Sequence, residues 1–153
     1  MPPSDYADCF KIFVTRRHDA TMVERRHPLV ALRVIVADDE RDTVDTLGAL
    51  LRQAGHQVLG LQTGPEVLPA VRMMRPDAVI LDIAVPGMSG FAVAQEIRHS
   101  FVDLRRPLLI GISGMWKASA DKMIAQQVGF DHYLEKPCDP NDLLELLEPL
   151  QRR

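Results

Sequence analysis

Five short strand-like runs constrain the fold of this chain more than any other feature, because each is followed by a segment with helical spacing of its apolar residues. The first four are rich in Val, Ile and Leu, as is typical of strands that are buried on both faces, and the fifth, HYLE, is more polar. The five runs cover residues 33–37, 57–61, 78–82, 107–112 and 132–135. Strands that alternate with helices form a parallel sheet covered by helices on both faces. The sequence therefore predicts a doubly wound α/β fold.

Helices are predicted between the runs, where apolar residues recur every three to four positions. The first helix is expected at 41–54 and ends at Gly55, and the last begins after Asp139, with Pro140 at its first position. Further helices are predicted at 66–74, with an interruption at Pro69, from Ser89 to about Ser100, and at 119–128. With five strand–helix units, the natural strand order of the parallel sheet is 2-1-3-4-5.

Chemically reactive side chains lie at the ends of four of the five runs. Asp38 and Asp39 follow the first run, and Asp82 ends the third. Ser113 follows the fourth run, and Lys136 follows the fifth. The carboxyl ends of parallel strands open on one edge of the sheet, where ligands bind. We therefore expect three carboxylates, a hydroxyl and an ammonium group to converge there.

The clustered carboxylates predict a metal and phosphoryl site. Two carboxylates about 4 Å apart repel by roughly 4 kcal/mol at an effective dielectric near 20, so the cluster needs a cation or protonation. Mg²⁺ is a small, hard cation that takes oxygen ligands. A phosphoryl group adds negative charge, which Mg²⁺, Lys136 and the Ser113 hydroxyl can neutralise or bind. A free carboxylate at Asp82 can attack phosphorus and form an acyl phosphate.

The chain from about residue 33 to 150 resembles a response-regulator receiver domain of two-component signalling. Four motifs in the family's order carry the resemblance: the pair at 38–39, D-x-x-V-P-x-M-x-G at 82–90, G-I-S-G around Ser113, and Y-L-E-K-P at 133–137. The resemblance implies a flavodoxin-like fold with the same strand order, 2-1-3-4-5. We expect a receiver domain at 33–153 and a poorly ordered N-terminal extension at 1–32.

The resemblance also implies the metal ligands and the phosphoacceptor. Asp82 is expected to accept the phosphoryl group. Asp39 and Asp82 are expected to bind Mg²⁺ directly, and Asp38 partly through water. The main-chain carbonyl of Ala84 is expected to be a further ligand.

Three other residues receive roles by the same resemblance. Lys136 is expected to pair with the phosphoryl group, and its peptide bond to Pro137 is expected to be cis. Ser113 replaces the threonine that is commoner in the family and keeps the hydroxyl. Tyr133 is the expected switch aromatic, which moves inward when Ser113 shifts toward the phosphoryl oxygen.

The expected function is a phosphoryl-accepting signalling domain rather than an enzyme. The phosphoryl group would come from a phosphohistidine on a sensor histidine kinase or a histidine phosphotransfer protein. Because no output domain follows residue 153, we expect a stand-alone receiver that contacts a downstream protein or passes the phosphoryl group on. The net charge of −3 gives no general drive toward nucleic acid. Neither a membrane-spanning stretch nor a secretory signal is apparent, so a cytoplasmic location is expected.

Two other functions remain open from the sequence. An aspartyl-phosphate phosphatase or mutase resembling haloacid dehalogenases usually carries a second Asp two residues after the nucleophile. Ala84 occupies that position here, which counts against this alternative. A phosphate-independent adaptor of the same fold is the other alternative, and the intact set of acidic residues with Ser113 and Lys136 argues against it.

Overall fold

The computed structural model describes residues 29–101, 106–114 and 119–152. Strands and helices alternate along these ranges: β1 (Arg33–Ala37), α1 (Arg41–Gln53), β2 (Gln57–Leu61), α2 (Val67–Met74), β3 (Ala78–Asp82), α3 (Gly90–Ser100), β4 (Leu108–Ser113), α4 (Ser119–Val128), β5 (His132–Glu135) and α5 (Pro140–Gln151). All five predicted strands are present. β4 begins and ends one residue later than expected, which makes Ser113 its last residue.

The five strands form one parallel sheet in the order β2-β1-β3-β4-β5, which confirms the predicted flavodoxin-like fold. In the register of this sheet, Asp82 is opposite Ile112, and Ser113 is opposite Glu135. β1 and β3 are neighbours at the centre of the sheet. The residues at the carboxyl ends of these two strands are therefore brought together by the sheet itself.

Alternate residues of the central strands supply two separate cores. Val34 and Val36 belong to a cluster with residues of α1 and α5 on one face. Ile35 and Ala37 belong to a cluster with residues of α2, α3 and α4 on the other face. Both faces of the sheet are thus covered, which explains why β3 is buried along its whole length.

The predicted caps of the helices around the site are present. Ser89 Oγ accepts a hydrogen bond from the Ala92 N–H at 3.2 Å at the start of α3. Asp139 caps α5 in the same manner, and Pro140 is the first residue of that helix. The interruption expected at Pro69 was wrong, because α2 is continuous across it. Pro69 lies in the first turn of α2, where a backbone N–H has no partner within the helix, so its missing donor is tolerated.

The predicted N-terminal extension lies outside the described residues up to position 28. Residues 29–32 are described and lead directly into β1. Leu32 is buried in the core beneath α1 and α5, and the Val30 N–H donates to the Gln151 carbonyl at 3.1 Å. Within the described ranges, no helix has the length and apolar character needed to cross a membrane.

Arg98 joins three segments at the amino-terminal edge of the sheet. From the last turn of α3, its guanidinium donates to the Gly129 carbonyl at 2.8 Å and to the Pro107 carbonyl at 2.9 Å. It also pairs with the Asp131 carboxylate at 2.7 Å, and the same carboxylate accepts the Leu109 N–H at 2.9 Å. The C-terminal end of α4 and the start of β5 are therefore fixed to α3.

Gly90 allows α3 to begin directly against the end of β3. A Cβ atom at this position would lie 2.7 Å from both the Asp82 carbonyl oxygen and Ile83 Cα. Both neighbours are backbone atoms, so they cannot move aside as a flexible side chain would. The glycine thus fixes the distance between the first turn of α3 and the strand that carries Asp82.

We predict that Gly90→Ala lowers the free energy of unfolding by more than about 1 kcal/mol, although alanine is ordinarily favoured over glycine within helices by about that amount. The physical reason is the contact of the new methyl group with the backbone of β3. Gly48→Ala in α1 is the matched control, because the nearest atom to its Cβ, at 3.1 Å, would be the end of the flexible Arg52 side chain. Urea unfolding of both variants is the measurement. Equal stability of the two would contradict the proposed close approach.

Candidate functional site

Asp38 and Asp39 directly follow β1, which ends at the centre of the sheet. The Asp38 N–H donates to the Leu61 carbonyl at 3.1 Å, which continues the pairing with β2 beyond Ala37. The Asp38 side chain is buried, and its Oδ1 accepts the Glu40 N–H at 2.9 Å. Asp39 is exposed. The pair therefore presents one buried and one accessible carboxylate at the same strand end.

Asp82 is the last residue of β3 and is buried. Its Oδ1 accepts the Ala84 N–H at 3.1 Å, so the chain turns immediately after the strand. One carboxylate oxygen from each of Asp38, Asp39 and Asp82 lies within 4.8 Å of the others. The structure thus brings together the three carboxylates that the sequence placed at one edge of the sheet.

Lys136 reaches this cluster from the end of β5. Its N–H donates to the Ser113 carbonyl at 3.0 Å, and the Lys136–Pro137 bond is cis, as the resemblance implied. Its Nζ lies 2.6 Å from Asp38 Oδ2 and 3.1 Å from Asp82 Oδ2. A single ammonium group therefore bridges two carboxylates that belong to neighbouring strands.

The pKa values of Asp38 and Lys136 reflect a competition between burial and the ion pairs of the cluster. Burial raises the pKa of Asp38 to about 6, although Lys136 and the Glu40 N–H act in the opposite direction. Burial alone would lower the pKa of Lys136, but its contacts with Asp38 and Asp82 outweigh burial and raise it. The ionised form of Asp38 is therefore costly in the folded state, and Lys136 stays protonated.

The acidic cluster fits a small divalent cation. Asp38 Oδ2 is buried and accepts no well-directed hydrogen bond from the described residues, so its compensation is the ion pair with Lys136. An oxygen atom of this kind, beside a second buried carboxylate and an exposed one, matches the oxygen donors and retained water that Mg²⁺ prefers. This comparison uses the carboxylates alone, and the role of the Ala84 carbonyl as a metal ligand stays a prediction.

Ser113 lies on β4, the strand beside β3, and Tyr133 lies on β5, the next strand outward. Ser113 is buried at the end of β4, and Asp82 is opposite the residue before it. Tyr133 on β5 is 38% exposed, so its ring lies toward the outside of the sheet edge. The ring is within reach of Lys122 on α4, whose Nζ lies 5.6 Å from the ring centroid. Lys122 could not be identified from the sequence, because this contact depends on the packing of α4 beside β5.

The loops beside the cluster contain a second feature that was not predicted from the sequence. Gly64, between β2 and α2, donates its N–H to the Pro86 carbonyl at 3.0 Å. A Cβ atom on Gly64 would collide with the backbone of Met88, so only glycine allows this loop to lie so close. The loop after Asp82 is therefore braced by the loop after β2. Gly64 is the sequence feature that could have indicated a close approach here, but Met88, which it lies against, is distant in the sequence.

Two solved structures show the same fold. The chemotaxis response regulator CheY4 of Vibrio cholerae matches with a TM-score of 0.71 and 24% identity, over 79% of this chain and 99% of that one. The receiver domain of a sensor histidine kinase from Pseudomonas aeruginosa matches with a TM-score of 0.70 and 22% identity, over 81% of this chain and 100% of that one. The latter structure holds a magnesium ion coordinated in its active-site cleft.

Sequence comparison identifies the family. Protein PilH of Pseudomonas aeruginosa is 30% identical over 115 residues, which cover 75% of this chain and 93% of PilH. The chain spans about half the length of the DNA-binding response regulators that it also matches. Residues 34–148 match the family model of the response regulator receiver domain. The chain therefore belongs to the response regulator receiver domains of two-component signalling.

Proposed function

We propose that this receiver domain accepts a phosphoryl group on Asp82 in the presence of Mg²⁺ and signals through a change at Ser113 and Tyr133. The observation that carries the proposal is the cluster of Asp38, Asp39 and Asp82 around one end of the sheet, with Lys136 Nζ 3.1 Å from Asp82 Oδ2. The receiver family consists of signalling domains rather than conventional enzymes. We therefore propose that phosphorylation of Asp82 switches the domain between two signalling states.

The phosphoryl donor is proposed to be a phosphohistidine on a sensor histidine kinase or a histidine phosphotransfer protein. An Asp82 carboxylate oxygen forms the new bond to phosphorus, the N–P bond of the phosphohistidine breaks, and the imidazole nitrogen retains the bonding electrons. The ammonium group of Lys136 compensates negative charge on the phosphoryl oxygens. The Ala84 N–H holds the carboxylate of Asp82 in position at 3.1 Å.

The metal is proposed to be Mg²⁺, held by Asp38, Asp39 and Asp82. The magnesium ion in the active-site cleft of the related kinase receiver supports this choice. When bound, Mg²⁺ supplies positive charge against the phosphoryl oxygens. The same ion relieves the repulsion among the carboxylates that Lys136 alone leaves uncompensated.

Ser113 and Tyr133 are proposed to transmit the phosphorylated state. Ser113 is buried at the end of the strand beside Asp82, where its hydroxyl can move toward a phosphoryl oxygen. Tyr133 can then turn inward from its exposed position on β5. The output is a changed surface for a downstream protein, or onward phosphotransfer, and the proposed location is the cytoplasm. A phosphate-independent adaptor would not need the paired Lys136 and carboxylates.

We predict that acetyl phosphate and Mg²⁺ add one phosphoryl group to the protein and that Asp82→Asn abolishes the addition. The amide cannot act as the attacking oxygen nucleophile. Intact-mass spectrometry is the measurement. Asp45→Asn is the matched control, since Asp45 is an exposed carboxylate of α1 whose partner is Arg41. Phosphorylation that survives in Asp82→Asn, or that proceeds equally in EDTA, would contradict the assignment.

We predict that Asp38→Asn stabilises the fold in EDTA near pH 7.5, by about 1 to 3 kcal/mol. Because the pKa of Asp38 is raised from 3.8 to about 6 in the folded state, the stability it contributes is present below pH 3.8 and lost as pH rises through about 6. Asp38→Asn has no ionisable side chain at this position, so its free energy of unfolding does not fall for this reason as pH rises. Urea unfolding at pH 5 and pH 7.5 should therefore show a larger gain at the higher pH.

Mg²⁺ should offset most of the stability advantage of Asp38→Asn over the wild type. Magnesium at 100 times its dissociation constant adds roughly 2.7 kcal/mol to the wild-type free energy of unfolding if it binds only the native state. Asp38→Asn should gain much less, because it lacks one of the three carboxylates. An equal magnesium effect on the two proteins would show that Asp38 does not contribute to the metal site.

We predict that Ser113→Ala separates phosphorylation from the structural response. A methyl group cannot donate to the phosphoryl oxygen, and loss of a hydrogen bond to a charged group costs about 1.5 to 3 kcal/mol, roughly a ten- to hundredfold change in population. Amide chemical shifts of β5 with Mg²⁺ and beryllofluoride, an acyl-phosphate mimic, are the measurement. Ser100→Ala, an exposed hydroxyl on α3, is the control. Undiminished shifts in Ser113→Ala would exclude it as the coupling residue.

A further inference from the structure

We propose that Lys122 holds Tyr133 in its outward position and thereby sets how much activating ligand the switch requires. The inference rests on the proposed function, because it assumes that the inward turn of Tyr133 belongs to the phosphorylated state. It assigns a positioning role to Lys122, which lies on α4 outside the acidic cluster.

One ammonium group contacts two side chains of β5. Lys122 Nζ lies 5.6 Å from the centroid of the Tyr133 ring and 3.9 Å from Glu135 Oε1. Tyr133 and Glu135 are two residues apart on a strand, so their side chains project from the same face. The Lys122 side chain is 42% exposed and the Glu135 side chain 67% exposed, which places the contact on the outer side of α4 and β5.

The two contacts of Lys122 differ in what they do for the switch. The contact with the ring exists only while Tyr133 lies outward, because an inward turn takes the ring away from the ammonium group. The ion pair with Glu135 does not require the ring, so it places the ammonium without favouring either position of Tyr133. The cation–π contact is therefore the part that discriminates between the two states.

The size of the effect follows from the exposure of the contact. A cation–π contact at an exposed site changes a two-state population by about two- to fivefold, whereas an exposed ion pair contributes less. A contact that favours the outward state by this factor weakens the apparent affinity for an activating ligand by up to the same factor. Lys122 is thus expected to raise the threshold of the switch without contacting the phosphoryl group.

The test is a beryllofluoride titration with Mg²⁺ in excess, followed through the amide chemical shifts of β5. Lys122→Met removes the charge and keeps an unbranched side chain that suits a helix. We expect its half-saturating beryllofluoride concentration to be about two- to fivefold lower than that of the wild type. An equal or higher concentration would overturn the proposal.

Three further variants distinguish this role from a general effect on the fold. Lys122→Arg keeps a cation over the ring and should behave as the wild type. Arg72→Met removes a charge from an exposed position of α2 and should leave the midpoint unchanged. In a Tyr133→Leu background, followed through the Ser113 amide, Lys122→Met should have no effect, because the ring is absent. A shift of the midpoint in either of the last two cases would overturn the proposal.

The outcome also separates this inference from the proposed function. A wild-type protein whose β5 amides do not respond to Mg²⁺ and beryllofluoride overturns the proposed switch, and the role of Lys122 falls with it. A wild type that responds, together with a Lys122→Met variant that responds at the same concentration, overturns only the role of Lys122.

Discussion

The pairing of Lys136 with two buried carboxylates is the interaction on which the site depends. Asp38 and Asp82 are carried by adjacent central strands, so the sheet forces their negative charges together. The ammonium group of Lys136 lies 2.6 Å and 3.1 Å from them and compensates part of that charge. Burial, with a smaller contribution from the charge of Asp82, raises the pKa of Asp38 to about 6. Two buried carboxylates therefore share one ammonium group, an arrangement that would favour the binding of a further cation.

The backbone around the site keeps this arrangement in place. Gly90 lets α3 begin against the carbonyl of Asp82, and Gly64 lets the loop after β2 lie against the loop that follows Asp82. Ser113 joins β4 to β5 through its carbonyl, which accepts the Lys136 N–H at 3.0 Å. The cluster is consequently supported by two close backbone approaches at glycines and by the pairing of β4 with β5. A binding edge built from strand ends is positioned by the sheet, and its loops only complete it.

Most of the fold and the membership of the cluster could be predicted from the sequence, because both follow from periodicity and from the geometry of parallel strands. The strand runs and the position of Asp82 at a strand end needed only local information. The contact of Lys122 with Tyr133 could not be predicted, since it depends on how α4 packs beside β5. The contact of Gly64 with the loop after Asp82 could not be predicted for a similar reason, since it depends on how two loops pack. The interruption predicted at Pro69 was wrong, because a proline in the first turn of a helix does not interrupt it.

The contacts of Arg98 with Gly129 and Asp131 fix one end of α4, so any tilt of this helix would turn about that end. Its C-terminal end is fixed at the amino-terminal edge of the sheet, whereas its Ser119 end lies toward the edge that carries the carboxylates. A helix of 10 residues is about 15 Å long, so a tilt of about ten degrees about the fixed end displaces the other end by about 2.5 Å. The end of α4 beside the acidic edge is thus the end that a tilt would move most, and the fixed point is the Arg98 guanidinium at the opposite edge of the sheet.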